Sequence, residues 1–280
     1  MHKQLFCTVA LASTCACALF DSVDNSVNNT VQGAAATHLA VVTVLQSPPI
    51  PGVANSPTAS VATIFFGNRP TETTLEPAPV NGATVTITDD AGLSTPAPGV
   101  DAGLYLASSA SGGLRYDPTA DYEFKFVDDG GFTYTAAGSA PPQEVVAQLT
   151  TTFTDDGGDP EPVFAQIPHG TAFTLTRSAP TVNGQLDVAF ITVFEINDMT
   201  QGAVTYTNAP QTPSDFLQLI VNDSQWRTAS VTIPGTAFPA AGLYLVTLTA
   251  IREGSATSDD LFSGSAILLG SATAGVLVAE

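Results

Sequence analysis

The sequence predicts an all-β protein, and two observations carry this prediction. Segments 84–88 and 122–126 alternate strictly between apolar and polar residues, and segment 244–250 keeps Tyr244, Val246, Leu248 and Ala250 on one face. This period of two is typical of strands with one buried face. Glycine-bearing turn signals separate such segments, as at 89–92 and 128–131, and they suit short antiparallel strands. No capped amphipathic helix is predicted beyond the N-terminal apolar segment.

The N-terminus has the pattern of an export signal. Lys3 precedes an apolar run over residues 5–16, and a polar stretch begins at Asp21. The run is shorter than the ~20 residues that a membrane-spanning helix needs, so a permanent anchor helix is not expected. All three cysteines lie within the first 17 residues.

The residues Thr14-Cys15-Ala16-Cys17 resemble the lipobox of bacterial lipoproteins. The resemblance implies acylation at Cys17, with residues 1–17 as the signal and acylation site, and Ala18 after the cysteine implies the outer membrane. Two alternatives stay open. Ala16-Cys17-Ala18 fits ordinary signal cleavage, which releases a soluble chain beginning at Leu19, and the cysteines could be buried residues of a first helix.

Composition excludes several partners. The net charge is −19, from 7 basic and 26 acidic residues, so nucleic acid and anionic membrane surfaces are repelled. Only 12% of residues are charged, and the surface is therefore expected to be rich in Thr, Ser, Asn and Gln. Because no cysteine follows Cys17, the fold must be held by core burial, for which the chain is long enough.

Two tandem sandwich domains are predicted from a repeated pentapeptide. Ala-Gly-Leu-Tyr-Leu occurs at 102–106 and again at 241–245. Both copies resemble the tyrosine corner, in which an inward tyrosine hydroxyl bonds the nearby backbone. The double proline at 141–142 cannot join a sheet interior and predicts a seam. We therefore expect a tether over residues 18–38, one domain over 39–140 and a second over 141–280.

A family resemblance follows from longer motifs. Residues 79–142 carry Val80-Asn81-Gly82-Ala83-Thr84-Val85-Thr86-Ile87, Gly103-Leu104-Tyr105 and Pro141-Pro142 in the order of transthyretin-like (carboxypeptidase-regulatory-like) sandwiches. Segments 230–234 and 242–250 are similar to the closing strands of fibronectin type III modules. The resemblance implies two antiparallel, immunoglobulin-like sandwiches that act as spacers, adhesion surfaces or parts of envelope assemblies. The apolar tail, 265–278, is expected to supply the closing strand pair.

Few residues point to chemistry. His38 and His169 lie far apart in sequence without a cysteine partner, which favours surface histidines over zinc ligands. No nucleophile elbow, zinc-helix motif or phosphate loop occurs. The paired carboxylates Asp89/Asp90 and Asp128/Asp129 stand in glycine turns, where solvated aspartates are ordinary. We expect no enzyme.

Two ligand candidates remain, each with a structural alternative. The run that contains Asp155, Asp156, Asp159 and Glu161 could gather oxygen ligands for calcium, although a solvated acidic loop explains it as well. Trp226, the single tryptophan, stands among polar residues as a stacking platform for a sugar would. Its alternative is a tryptophan of the core or rim.

These observations predict a non-enzymatic, exported protein that a lipid anchors in the cell envelope. It would act as a structural, adhesion or partner-binding module toward an envelope protein or extracellular matrix, without a cofactor. The alternative function is carbohydrate- or calcium-dependent adhesion by a secreted or surface-attached module.

Overall fold

A computed structural model describes residues 38–47, 59–68, 77–110, 113–144, 146, 148, 152–154, 160–162, 165–178, 185–197, 200–211, 222–262 and 264–280. Strands dominate these ranges, together with two short 3-10 helices at Asp223–Trp226 and Gly235–Ala237. No helix in the described ranges has the length and apolar character needed to cross a bilayer. The strands are β1 (His38–Ser47), β2 (Ala59–Asn68), β3 (Ala78–Pro79), β4 (Thr84–Asp89), β5 (Ser94–Ala97), β6 (Gly99–Asp101), β7 (Leu104–Ser108), β8 (Asp121–Val127), β9 (Thr133–Ser139), β10 (Thr152–Thr154), β11 (Pro160–Pro162), β12 (Ala165–Ile167), β13 (Phe173–Thr176), β14 (Val188–Asn197), β15 (Thr200–Thr207), β16 (Ser230–Ile233), β17 (Gly242–Glu253), β18 (Ser255–Ala256) and β19 (Ala266–Ala279).

The all-β prediction is confirmed, and the alternating segments form strands as expected. Segments 84–88, 122–126 and 244–250 lie in β4, β8 and β17. In β8 the aromatic residues Tyr122, Phe124 and Phe126 are buried while the charged residues between them are exposed. The period of two thus identifies the core-facing side chains.

The strands form one large sheet and three smaller ones. The ten-stranded sheet has the order β15-β14-β17-β19-β1-β2-β7-β6, with β12 beside β19 and β3 beside β2. The five-stranded sheet has the order β18-β9-β8-β4-β5, and β10-β11 and β13-β16 form separate pairs. The first described strand therefore lies next to the last one in the middle of the large sheet.

Strand β19 organises the large sheet. It is one continuous strand of 14 residues, not the closing pair expected from the tail. One edge pairs with β17 from Gly242 to Glu253, and the other pairs with β1 and then with β12, both in parallel. The expectation of purely antiparallel sheets is therefore wrong at these two pairings.

Two hydrophobic cores lie along this one sheet. The first packs β1, β2, β7 and the start of β19 against the five-stranded sheet. The second packs β14, β17 and the end of β19 against β13 and β16. Strand β19 gives Ile267 and Leu269 to the first core and Leu277 and Ala279 to the second. The first core therefore includes residues from both sides of the predicted boundary at 140/141, and two independent domains stay a prediction.

The double-proline segment lies between the cores. It forms no strand, as predicted, but it is packed against the sheet, since Ala140, Pro141 and Glu144 are buried. The Ser271 hydroxyl of β19 donates to the Pro141 carbonyl at 2.6 Å, and the Thr273 hydroxyl donates to the Glu144 carbonyl. The segment is therefore a fixed connection.

Candidate functional site

A shallow, open crevice of about 600 Å³ lies where β8, β9 and β17 meet, beside this connection. Its lining includes Asp121, Tyr122, Ser139, Arg252 and Glu253. The strands approach closely because glycine stands at the crossing: a Cβ on Gly254 would lie 2.2 Å from the Ala137 carbonyl oxygen.

Two charged groups at the crevice, Arg252 and Asp121, already have hydrogen-bond partners. The Arg252 guanidinium donates to both carboxylate oxygens of Asp187, at 3.0 and 2.6 Å, and to the Ala140 carbonyl at 3.4 Å. The Ser139 hydroxyl donates to the Asp121 carboxylate. Burial raises the pKa of Tyr122 to about 12, so its phenol stays protonated at neutral pH.

A second ion pair lies deeper, between the two cores. Arg177 donates to both carboxylate oxygens of Glu144, at 2.8 and 2.5 Å. The same guanidinium donates to the carbonyls of Asp187 at 2.6 Å and Trp226 at 3.1 Å. Both side chains are almost fully buried, at 0% and 1% exposed. Because its hydrogen bonds are satisfied, this pair joins the connection, β13 and the chain before β14.

Sequence reasoning missed Arg177 and Glu144, although a signal for Arg177 existed. The alternation that places Phe173 and Leu175 toward the core continues to residue 177. An arginine on the inward face of a strand needs a buried partner. Glu144, two residues after a double proline, carries no comparable signal.

Trp226 is buried, at 4% exposed. Its indole N–H donates to the Asn208 carbonyl at 2.7 Å, and its ring meets Phe190 edge to face at 6.3 Å. A sugar platform requires an open ring face. The packing of Trp226 therefore favours the structural interpretation over the glycan site suggested by its polar neighbours.

The other predicted residues are placed as follows. Cys17, residues 1–37, Asp155, Asp156 and Asp159 lie outside the described residues, and Glu161 lies in β11 without a described side chain. Within the described ranges, no group of three or more histidine, cysteine, aspartate or glutamate residues could hold a metal ion.

The two histidines lie in different surroundings. His38 is buried in the first core, against Phe66 and Tyr134 at ring distances of 5.2 and 4.2 Å. The expectation of a surface residue is wrong for His38, because it begins a central strand. His169 is exposed, and its Nδ1 lies 2.8 Å from the carbonyl oxygen of Glu280.

The paired aspartates cap two equivalent hairpin turns. The Asp89 carboxylate accepts from the Leu93 amide at 2.8 Å, and the Asp128 carboxylate accepts from the Phe132 amide at 2.9 Å. In each turn the glycine before the capped residue has a positive φ, +78° at Gly92 and +80° at Gly131. The prediction that they stand at turns is confirmed, but the expectation that they are solvated is wrong for Asp89, which is buried because its carboxylate caps the turn.

Pairs of hydrogen-bonded hydroxyl side chains lie on the outer faces of the five-stranded sheet and of the β13-β16 pair. Thr88 and Ser94 are joined at 2.9 Å, Thr135 and Thr257 at 2.9 Å, and Thr174 and Thr232 at 3.1 Å. Each of these pairs crosses between neighbouring segments at the surface. These pairs place hydroxyl groups on the five-stranded sheet and on the β13-β16 pair.

No protein-family model matches the sequence, and no curated protein matches it. The β-sandwich character rests on the sheets themselves, and the transthyretin-like, fibronectin-like and lipoprotein resemblances stay predictions.

Proposed function

We propose that this chain is a non-enzymatic, exported envelope protein, anchored by a lipid on Cys17, that presents uncharged hydroxyl-rich faces to a partner. The outward hydroxyl pairs on the five-stranded sheet and on β13-β16 carry this proposal. Paired hydroxyls hold their geometry before a partner arrives, which reduces the entropy cost of binding. In this proposal the two cores on one sheet act as a rigid support for those faces.

The interior charges fit a binding role better than catalysis. Arg177 and Arg252 have carboxylate partners within 3.0 Å, and both pairs hold the connection between the cores. An active site needs groups that converge on a reacting atom, whereas these converge on one another. The partner would be an envelope protein or matrix component that tolerates a strongly acidic neighbour.

The anchor is tested by replacing cysteines one at a time in the native host. We expect Cys17→Ser to move the exported protein from the membrane fraction to the soluble fraction. Cys15→Ser, two positions earlier in the same signal, is the matched control and should stay in the membrane fraction. Mass spectrometry should find a diacyl- or triacylglyceryl group on Cys17, whereas a mature chain that begins at a free Leu19 would contradict the anchor.

A further inference from the structure

The large sheet carries a further apolar cluster on the face that points away from the second core. The register aligns Phe194, Leu245 and Val276 in one row across β14, β17 and β19. In each of these strands an adjacent residue belongs to the second core, and successive side chains of a strand point to opposite faces. We call Phe194, Leu245, Ala274 and Val276 the outer cluster.

The outer cluster is buried although its members all come from the sheet itself. Phe194, Leu245 and Val276 are each 5% exposed. Side chains on one face of a sheet stand side by side, so they do not shield one another from solvent above the face. No described residue from outside β14, β17 and β19 belongs to the cluster. The burial exists within a single copy of the chain, so the residues that cover the cluster belong to the chain itself.

The chain on both sides of residues 212–221 lies on this same face. Trp226 packs against Phe190 of β14, which shares a face with Phe194 because the two positions differ by an even number. The indole N–H of Trp226 donates to the Asn208 carbonyl at 2.7 Å. The chain that enters residues 212–221 and the chain that leaves them are therefore joined beside the outer cluster.

The segment is long enough to reach the outer cluster and to return. Phe190 and Phe194 are separated along β14 by about 13 Å at the rise of a β-strand. The ten residues 212–221 span up to ~33 Å when extended, which exceeds the distance out and back.

Residues 212–221 also have the side chains that such a cover needs. Their five large apolar residues are Phe216, Leu217, Leu219, Ile220 and Val221. None of the other segments that lie between described strands and outside the described ranges has more than two such residues. Burial of these side chains against the outer cluster removes apolar surface from water on both sides of the contact, which favours the packing.

We propose that residues 216–221 pack on the outer cluster and form a third layer over the part of the large sheet built from β14, β17 and β19. The outer cluster is then an internal contact of the chain and not a surface for a partner. This inference does not rest on the proposed function. Residues 18–37 and a second copy of the chain are the other possible occupants, and the test distinguishes them.

The first test uses cysteine pairs in the full chain, with Cys7, Cys15 and Cys17 replaced by serine so that no native thiol remains. Leu245→Cys is combined in turn with Leu217→Cys, Leu219→Cys and Ile220→Cys, and each protein is treated with a short bis-maleimide. We expect at least one pair to be linked within a single chain, as identified by mass spectrometry of its peptides. Thr86→Cys, on the five-stranded sheet, replaces Leu245→Cys in the control and should give no link.

Three results of this test would overturn the proposal. One is the absence of a link in all three pairs. Another is a link from Leu245→Cys to Val27→Cys, which would assign the outer cluster to residues 18–37. The third is a link only between two chains, which would assign the cluster to a second copy.

A second measurement does not depend on the geometry of a cross-link. In the same background, the single thiol of Leu245→Cys should react slowly with a maleimide. Phe216→Ser/Leu217→Ser/Ile220→Ser should speed this reaction about tenfold or more, because the cover opens locally.

Ile50→Ser/Val53→Ser, in another segment outside the described ranges, is the matched control and should leave the rate unchanged. Equal rates in the triple serine variant and its parent would contradict the proposal. Circular dichroism establishes that each variant is folded.

Discussion

Arg177 and Glu144 place two full charges where water does not reach, with both side chains at most 1% exposed. Removal of one partner leaves the other charge buried and uncompensated. We predict that Glu144→Ala lowers the free energy of unfolding by about 3–5 kcal/mol, as measured by urea denaturation. The double variant Arg177→Met/Glu144→Leu should recover much of this loss, because it removes both charges together.

An exposed ion pair supplies the control for that measurement. Arg115 and Asp117 lie 3.5 Å apart with side chains 63% and 60% exposed. Asp117→Ala should change the free energy of unfolding by less than about 1 kcal/mol. If Glu144→Ala costs no more than Asp117→Ala, the buried pair does not stabilise the junction.

His38 makes stability depend on pH. Burial lowers its pKa from 6.5, and the nearby charges of Asp128 and Asp260 only partly oppose this. Just below pH 6.5 the unfolded chain therefore binds more protons than the folded one. The contribution of neutral His38 is fully present above pH 6.5, and it is lost as the pH falls through the window between that value and the folded pKa.

The measurement compares wild type with His38→Gln. We predict that wild type loses more free energy of unfolding than the variant between about pH 7.5 and about pH 5.5. Carboxylates titrate in both proteins, so the difference isolates His38. Parallel pH profiles would show that protonation of His38 does not oppose folding.

At the scale of the element, identical pentapeptides adopt different turns. In the first copy both Ala102, at φ +50°, and Gly103, at φ +73°, are left-handed, as a type I′ hairpin requires. In the second copy neither Ala241 nor Gly242 has a positive φ. The tyrosines that follow are nevertheless equivalent: Tyr105 donates to the Val80 carbonyl at 2.6 Å, and Tyr244 donates to the Ala240 carbonyl at 2.9 Å. Both tyrosine hydroxyls thus bond a backbone carbonyl, as predicted, but only the partner of Tyr244 lies a few residues upstream as in a tyrosine corner.

This difference gives a stabilising prediction with an internal control. Alanine is strained at positive φ, whereas asparagine tolerates it. Ala102→Asn should therefore raise the free energy of unfolding by about 1 kcal/mol, as measured by thermal or urea denaturation. Ala241→Asn should bring no gain. An equal effect at both positions would mean that the turn conformation is not the cause.

Two of the correctly predicted strands, β4 and β8, have one solvent-exposed face, whereas the third, β17, is buried on both faces. Strands β4 and β8 alternate in sequence because they alternate in burial. Strand β1 is different, since residues 39–44 are all buried, and no alternation remains to show which face meets which core. Its pairing with β19 joins Val41 to Ala266, and nothing local in either segment specifies that partner.

The sequence predicted the types of side chain at the surface but not their spatial arrangement. The composition indicated a hydroxyl-rich surface, and the capped aspartate turns could be read from their glycines. Thr86, Lys125 and Thr135 lie in one row because of the strand order and register, and neither can be inferred from the sequence.

On the scale of the whole molecule, the two cores are not independent. Strand β19 pairs with β17 over its length and contributes side chains to both cores. The connection at 140–144 is bonded to β19 and, through Glu144, to Arg177. Unfolding either core alone would disrupt the strand pairing and packing of β19, which both cores share. We therefore predict that both cores unfold in one cooperative transition.

Differential scanning calorimetry of the chain tests this central claim most directly. A single unit gives one peak, with a calorimetric enthalpy equal to the van't Hoff enthalpy. Two resolved transitions, or a calorimetric enthalpy about twice the van't Hoff value, would contradict the shared-sheet structure and restore two independent domains.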